Sequence, residues 1–133
     1  MGVPRQIVVD TNVLVSGLFT KKGSPPTELV ALFLTGFLHV CYDARIMTEY
    51  RRIFARPKLD LDLQQRARLL QIIEAEGFDV DPFPVDLDFP DQSDRPFYEV
   101  AKLCFCPLVT GNKKHFPRED WIFTPAEYLE ALW

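Results

Sequence analysis

The amino-acid sequence predicts an α/β protein with a mostly parallel central sheet and helices on both faces. Short Val- and Ile-rich runs, typical of buried strands, alternate along the chain with longer segments of helical periodicity. Cap residues and prolines mark where the helical segments begin. The length of 133 residues favours a single domain over residues 1–133, and a composition of 47% apolar and 26% charged residues excludes a disordered or fibrous chain.

The first third of the chain predicts two strands with a helix between them. Residues 6–9 form an apolar run that fits a fully buried strand, and this run ends at the polar residues 10–12. Ser24 is the candidate N-cap of a helix that runs towards Gly36, because two prolines follow it in the first turn, where a missing N–H costs nothing. A second buried strand is expected over residues 37–42.

The middle of the chain predicts two helices and an acidic loop. Asp43 caps a helix that stops before Pro57, and a longer helix covers residues 63–76. Gly77 fits the C-terminal cap of the longer helix. The Pro- and Asp-rich residues 79–92 are expected to form a loop or a short edge strand.

The last third repeats the alternation of helix and strand. A helix is expected over roughly residues 94–105, followed by strands over 107–110 and 121–123. The sequence Thr-Pro-Ala-Glu at residues 124–127 has the capping-box pattern and predicts a terminal helix. Strands and helices that alternate in this way are typical of a parallel sheet covered on both faces.

Charge and cysteine content limit the classes of function. The net charge of −4 argues against a broad basic nucleic-acid-binding surface. Six acids and no Lys or Arg lie between residues 79 and 94, so the rest of the chain has 15 bases against 13 acids and can still form a local basic groove. No apolar run approaches the roughly 18 residues of a membrane helix. We expect no signal peptide, no disulfide framework and no zinc site, and therefore a cytoplasmic protein with free thiols.

Three acids lie at a strand end or face inward on a helix. Asp10 follows the first buried strand, where ligands of open parallel sheets are bound. Glu49 falls on the edge of the apolar stripe of its helix, and Asp94 faces inward at the first turn of another. Each acid also has a structural interpretation. Asp10 and Asp94 could cap helices, and Glu49 could pair with Arg45 or Arg52.

These acids can converge on one point of the fold. Carboxylates a few ångströms apart repel by roughly 1–4 kcal/mol per pair, so a folded protein that gathers them needs a cation. Ligation by oxygen alone favours Mg²⁺ or Mn²⁺ over zinc. Such an ion binds phosphate, lowers the pKa of a bound water and supports in-line attack on phosphorus.

Four segments, in their order and spacing, resemble the PIN-domain family. They are VVDTNVLVS at 8–16, TEY at 48–50, DQSDRPFYEVA at 91–101 and VTGNKKHFP at 109–117. The resemblance is strongest to prokaryotic members that are regarded as toxins of type II toxin–antitoxin systems. It implies a three-layer α/β/α fold, a Mg²⁺- or Mn²⁺-dependent endoribonuclease that acts on RNA, a possible protein antitoxin and a homodimer.

The resemblance also assigns roles to residues. The three acids of the family match Asp10, Glu49 and Asp94, as catalytic residues and metal ligands. Residues that match supporting positions, or that lie beside them, are Thr11, Asn12, Asp91 and Thr110. The chain departs from the family at Asn112, where many relatives carry an acid. An amide oxygen can still coordinate a metal but carries no charge, so the number of metal ions, one or two, stays open.

Basic residues near the same motifs are candidates for contact with RNA phosphates. Lys113, Lys114 and Arg52 follow or flank the matched segments. His115 could contact a phosphate or transfer a proton. Each of these side chains could equally be a solvated or structural residue.

Two other functions remain open from the sequence. One is a PIN-like module that binds RNA or protein without catalysis, which the loss of charge at Asn112 and the acidic composition favour. The other is a phospho-acceptor domain with Asp10 as the nucleophile, either a receiver or an aspartyl-phosphate phosphatase. A receiver is expected to have an acidic pair and another Asp at the end of a central strand, and this chain fits that pattern poorly. A phosphatase of that kind needs an acid two residues after the nucleophile, and this chain has Asn12 there.

Overall fold

A parallel sheet forms the centre of the protein, whose computed structural model describes residues 5–19, 23–57 and 62–133. Within these residues the strands are β1 (Gln6–Val9), β2 (His39–Tyr42), β3 (Phe78–Asp79), β4 (Leu108–Val109) and β5 (Ile122–Phe123). They lie in the order β3-β2-β1-β4-β5, and every pair is parallel. The order places β1 in the middle, between β2 and β4.

Helices cover both faces of the sheet. In the described part of the chain they are α1 (Thr11–Phe19), α2 (Pro25–Leu34), α3 (Ala44–Phe54), α4 (Leu63–Glu76), α5 (Arg95–Cys104) and α6 (Pro125–Leu132). Consecutive residues 7–9 of β1 point to opposite faces and are all fully buried, so neither face is open to solvent. The predicted α/β/α fold class is therefore confirmed.

Several predicted helix boundaries agree with the structure. Ser24 caps α2 through its side chain, and Asp43 caps α3 by accepting a 2.9 Å hydrogen bond from the Ile46 N–H. The capping box at the start of α6 is also present. Local cap chemistry thus sets where these helices begin.

Gly77 ends α4 for a reason other than a left-handed cap. Its φ is −88° and its backbone is extended. A Cβ at this position would lie 2.3 Å from the carbonyl oxygen of Ile73 and 2.5 Å from that of Val40. The glycine therefore allows the end of α4 to approach β2 closely, and β3 begins at the next residue.

Helix α1 is the main element that the pattern of the sequence does not identify. It begins at Thr11, directly after β1, and contains β-branched residues and Gly17. A Cβ on Gly17 would lie 2.3 Å from a methyl carbon of Val30 and 2.5 Å from the carbonyl oxygen of Pro26. Close packing against α2 thus explains a residue that weakens helical propensity.

In the described residues, no helix has both the length and the apolar character that crossing a bilayer requires. The predicted absence of a membrane helix holds for that part of the chain.

Candidate active site

Asp10 lies at the carboxyl end of the central strand, where β1 and β4 are joined. The Asp10 N–H donates to the carbonyl of Val109 at 2.9 Å. Beside it, the hydroxyl of the fully buried Thr110 donates to Oδ2 of Asp10 at 2.8 Å. The hydroxyl oxygen of Thr110 also accepts a 3.0 Å hydrogen bond from the Asn112 N–H. Thr110 therefore connects Asp10 to the loop after β4.

Glu49 reaches the same region from α3. The hydroxyl of Tyr50, which is fully buried, donates to the carbonyl of Val9 at 2.5 Å and ties α3 to the end of β1. Glu49 accepts a short hydrogen bond from the hydroxyl of Thr11, and its other oxygen lies 3.9 Å from Arg52. Thr11, expected to support Asp10, thus contacts two acids, because its backbone N–H bonds Asp10 and its side chain bonds Glu49.

Asp94 lies at the start of α5, the third element that lines this region. A single 3₁₀ turn, Gln92–Asp94, precedes the helix, and Asp91 caps this turn by accepting a 2.9 Å hydrogen bond from the Ser93 N–H. Asp94 is buried and stands at the N-cap position of α5, but its side chain forms no cap hydrogen bond. The structural interpretation of Asp94 is that it caps a helix, but its carboxylate does not cap α5.

The three acids line one cavity of about 250 Å³. The cavity also contains the loop residues after β4 and one basic side chain of α3. Its other lining residues are Thr11, Asn12, Arg52, Ile53, Asp91, Ser93, Asn112 and His115. Carboxylates from a strand end and two helices therefore line one cavity at the carboxyl edge of the sheet, where open parallel sheets bind their ligands.

A family model for the PIN domain matches residues 6–114. The chain belongs to the PIN-domain family. PIN domains are generally metal-dependent nucleases that act on nucleic acids. The search among curated proteins found no match.

Charge repulsion and burial act together on the acids of this PIN domain. Burial, together with the neighbouring negative charges of Asp10, Asp91 and Glu49, raises the pKa of Asp94 to about 6. Burial also raises the pKa of Asp10, and the charge of Glu49 adds to this effect, while the hydrogen bond from Thr110 opposes it. The pKa of the exposed Asp91 shifts the other way and is lowered by its hydrogen bonds to Ser93.

One buried oxygen of the cavity lacks a hydrogen-bond donor. Among the described residues, Oδ2 of Asp94 has no hydrogen-bond partner, although Nδ1 of His115 lies 3.4 Å away. A buried anionic oxygen without a donor is unfavourable unless a cation reaches it. The donor set of three carboxylates therefore suits a hard divalent ion in its chemistry.

The spacing of these carboxylates is wider than a metal site requires. Across residues 5–19, 23–57 and 62–133, no three His, Cys, Asp or Glu side chains are grouped closely enough to hold a metal ion as they stand. Two of the acids are held by threonine hydroxyls, Asp10 by Thr110 and Glu49 by Thr11. Ion binding would therefore have to draw the three carboxylates closer together.

The predicted RNA-contacting residues lie in different places. Arg52 lines the cavity, whereas Lys113 forms an ion pair with Glu127 at 3.1 Å and lies outside it. Lys114 is exposed on a neighbouring surface. His115, a minor candidate in the sequence, lies in the cavity with its ring 2.9 Å from the side-chain amide of Asn112. Residues 113–115 form a short 3₁₀ turn, so the side chains of Lys113 and His115 point to different surfaces although the residues are close in sequence.

Proposed function

We propose that this PIN domain is an endoribonuclease that uses Mg²⁺ or Mn²⁺, with Asp10, Glu49 and Asp94 as its metal ligands and catalytic residues. The observation that carries the proposal is the convergence of these three acids on one cavity, with a buried oxygen of Asp94 that no donor satisfies. A bound cation would offset the electrostatic repulsion between carboxylates that are held close together. The preference for RNA rests on the family resemblance of the motifs.

The residues around the acids would position them and the substrate. The hydroxyls of Thr11 and Thr110 fix one oxygen each of Glu49 and Asp10, which leaves less side-chain freedom to be lost when substrate binds. Arg52 lies at the wall of the cavity, where its guanidinium can bind a phosphate oxygen. A bound divalent ion would supply charge neutralisation for the phosphodiester and a lowered pKa for water.

Two substitutions test the catalytic assignment. Asp94→Asn and Asp10→Asn remove a charge with little change of shape, and each should slow cleavage of a labelled RNA by at least about a hundredfold. Circular dichroism should show an unchanged fold. The matched control is Asp88→Asn, an exposed acid outside the cavity, which should cleave at the wild-type rate. Cleavage that survives EDTA or both substitutions would contradict the proposal.

A non-catalytic PIN-like module that binds RNA or protein is the second candidate. It is favoured by the uncharged Asn112 and by the wide spacing of the carboxylates. Calorimetric titration with Mn²⁺ separates the two functions. Binding that is lost in Asp94→Asn supports the nuclease, whereas no binding at millimolar Mn²⁺ supports the module.

We also propose, from the resemblance alone, that the nuclease is the toxin of a toxin–antitoxin pair and forms a homodimer. The expected result is that induced expression of the wild-type chain arrests bacterial growth and that expression of Asp94→Asn does not. Equal growth with both chains would contradict the toxin role without affecting the nuclease assignment. Sedimentation of the purified protein tests the dimer.

A further inference from the structure

An apolar groove lies beside α5, away from the candidate active site. Its volume is about 580 Å³, and helix α5 and the irregular segment before it form its walls. Its apolar lining consists of Phe83, Pro84, Val85, Leu87, Leu103 and Phe105, and its charged lining residues are Asp86, Glu99 and Lys102. Phe83 is 84% exposed and Phe105 is 92% exposed, so two large rings face solvent at one site. Exposed apolar surface that is contiguous in this way is typical of a binding site.

Phe105 has a backbone conformation that phenylalanine disfavours. It ends α5 with φ 52° and ψ 43°, and its N–H donates to the carbonyl of Ala101. Within the described residues it is the only non-glycine residue with a positive φ. Glycine is the usual residue at such a helix end because it has no Cβ penalty. Folding gains little from a strained and solvent-exposed phenylalanine, so a role in binding is the better explanation.

The wall opposite α5 is held in place by the half-buried Arg95 and the buried Glu99. Arg95 donates to the carbonyl oxygens of Val85 at 2.7 Å and of Leu87 at 2.5 Å. The carboxylate of the buried Glu99 accepts a 2.7 Å hydrogen bond from the Val85 N–H. The groove is thus formed before any partner arrives, and binding does not have to order its wall.

The charge around the groove indicates the chemistry of its partner. Asp86 lines the groove, and Asp81 and Asp88 belong to the same segment. All three are exposed, and none of them has an ion-pair partner in the part of the chain that the structure describes. The basic residue of the lining, Lys102, has its ammonium 6.0 Å from the centre of the Tyr98 ring. The three aspartates belong to the segment between residues 79 and 94 that has six acids and no base. These acids would repel a nucleic-acid backbone. A twofold dimer through this surface would place the same acids on both sides, so a second copy is also disfavoured.

We infer that this groove binds a basic amphipathic segment of another protein. Apolar side chains of the partner would cover Phe83 and Phe105, and its Lys or Arg residues would face the three aspartates. The inference is independent of the proposed nuclease activity, since its residues lie outside the cavity that contains Asp94.

A model peptide tests the chemistry of the site. The probe is a fluorescein-labelled amphipathic peptide of about 18 residues with leucines at i, i+3, i+4 and i+7 and lysines elsewhere. A second peptide has the same leucines with glutamates in place of the lysines. Fluorescence anisotropy with the full chain should show binding of the lysine peptide that is at least about tenfold tighter than that of the glutamate peptide.

Phe105→Gly gives the sharpest variant because binding and stability should change in opposite directions. It should weaken binding of the lysine peptide at least about tenfold and raise Tm by roughly 3–5 °C, since glycine relieves the backbone strain. Replacing Asp81, Asp86 and Asp88 together by Asn should weaken binding similarly. The matched control is Leu63→Ser, which removes an exposed apolar side chain of α4 and should leave binding unchanged.

Three results would overturn the inference. One is unchanged affinity for the lysine peptide in Phe105→Gly or in the triple Asp→Asn variant. Another is a fall in Tm for Phe105→Gly, which would mean that the ring contributes to packing. The third is a wild-type dimer that Phe105→Gly dissociates in sedimentation experiments, because the groove would then bind a second copy of the chain.

Discussion

Helix α5 carries an acid at its N-terminal end and an aromatic ring at its C-terminal end, and neither side chain caps the helix in the usual way. Asp94 stands at the N-cap position but does not cap the helix, and Phe105 stands where glycine is usual. Asp94 lines the polar cavity of the candidate active site, whereas Phe105 lines an apolar groove. One helix therefore presents two surfaces of opposite chemistry, at ends where neither side chain serves as a cap.

Glu99, in the middle of α5, connects this helix to the groove wall and to α3. Its buried carboxylate accepts hydrogen bonds from Arg45 at 2.8 Å and from the Val85 N–H at 2.7 Å, and Arg95 lies 3.5 Å away. Arg45 also pairs with Asp43, the residue that caps α3. One cluster therefore connects the groove wall, α5 and the helix that carries Glu49.

Substitution of this cluster should have the largest effect on stability. Glu99→Gln leaves Arg95 without its carboxylate partner and leaves Arg45 with Asp43 alone, and we expect a loss of about 2–3 kcal/mol in the free energy of unfolding. Urea denaturation at neutral pH measures it. The control is Glu130→Gln, an exposed acid of α6 that should change stability by less than about 0.5 kcal/mol. Equal effects of the two variants would show that the cluster does not hold α5 in place.

The second prediction concerns the acidic end of α5 and the pH dependence of stability. Burial and neighbouring charges raise the pKa of Asp94 to about 6 from 3.8, so the folded protein binds this proton more tightly than the unfolded chain does. The contribution of Asp94 to stability is therefore fully present below pH 3.8 and is lost as the pH rises through about 6. Asp94→Asn keeps the uncharged state at every pH.

With EDTA present, Asp94→Asn should be more stable than the wild type by about 1–2 kcal/mol at pH 7–8, after allowance for solvent screening. The two proteins should have equal stability near pH 4. Asp91→Asn provides a contrast three residues away, because the pKa of Asp91 is lowered and removal of its charge should not stabilise the protein at neutral pH. A wild type that gains stability between pH 4 and 7 relative to Asp94→Asn would contradict the prediction.

The sequence allows much of the fold to be predicted, because its signals are local. Cap residues and periodicity predict α4 over residues 63–76, and the structure has it at Leu63–Glu76. Helix α1 lacks such a signal, since its glycine and β-branched residues are explained only by packing against α2. The short strand β3 is likewise set by the close approach of Gly77 to β2 rather than by its own two residues.

Of the two surfaces of α5, local sequence patterns predict the acidic cavity but not the apolar groove. The rule for strand ends and the helical phase of Glu49 and Asp94 predict that acids gather at the sheet edge, where they line one cavity. The contact of Thr11 with Glu49 joins residues 38 positions apart, and no local pattern encodes it. The groove at Phe105 contradicts local preference, because a left-handed phenylalanine is the opposite of what propensity predicts.

The third prediction has the smallest effect and concerns Thr124, because the start of α6 is capped and that of α5 is not. Thr124 accepts a 3.2 Å hydrogen bond from the Glu127 N–H, and Glu127 accepts one at 2.8 Å from the Thr124 N–H, so α6 is capped where α5 is not. Thr124→Ala should therefore reduce stability by about 1 kcal/mol in urea denaturation, and Thr124→Ser should restore most of it. Asp94→Ala should show no such capping loss in EDTA. A comparable loss there would mean that the carboxylate of Asp94 stabilises α5 in solution and is not reserved for a ligand.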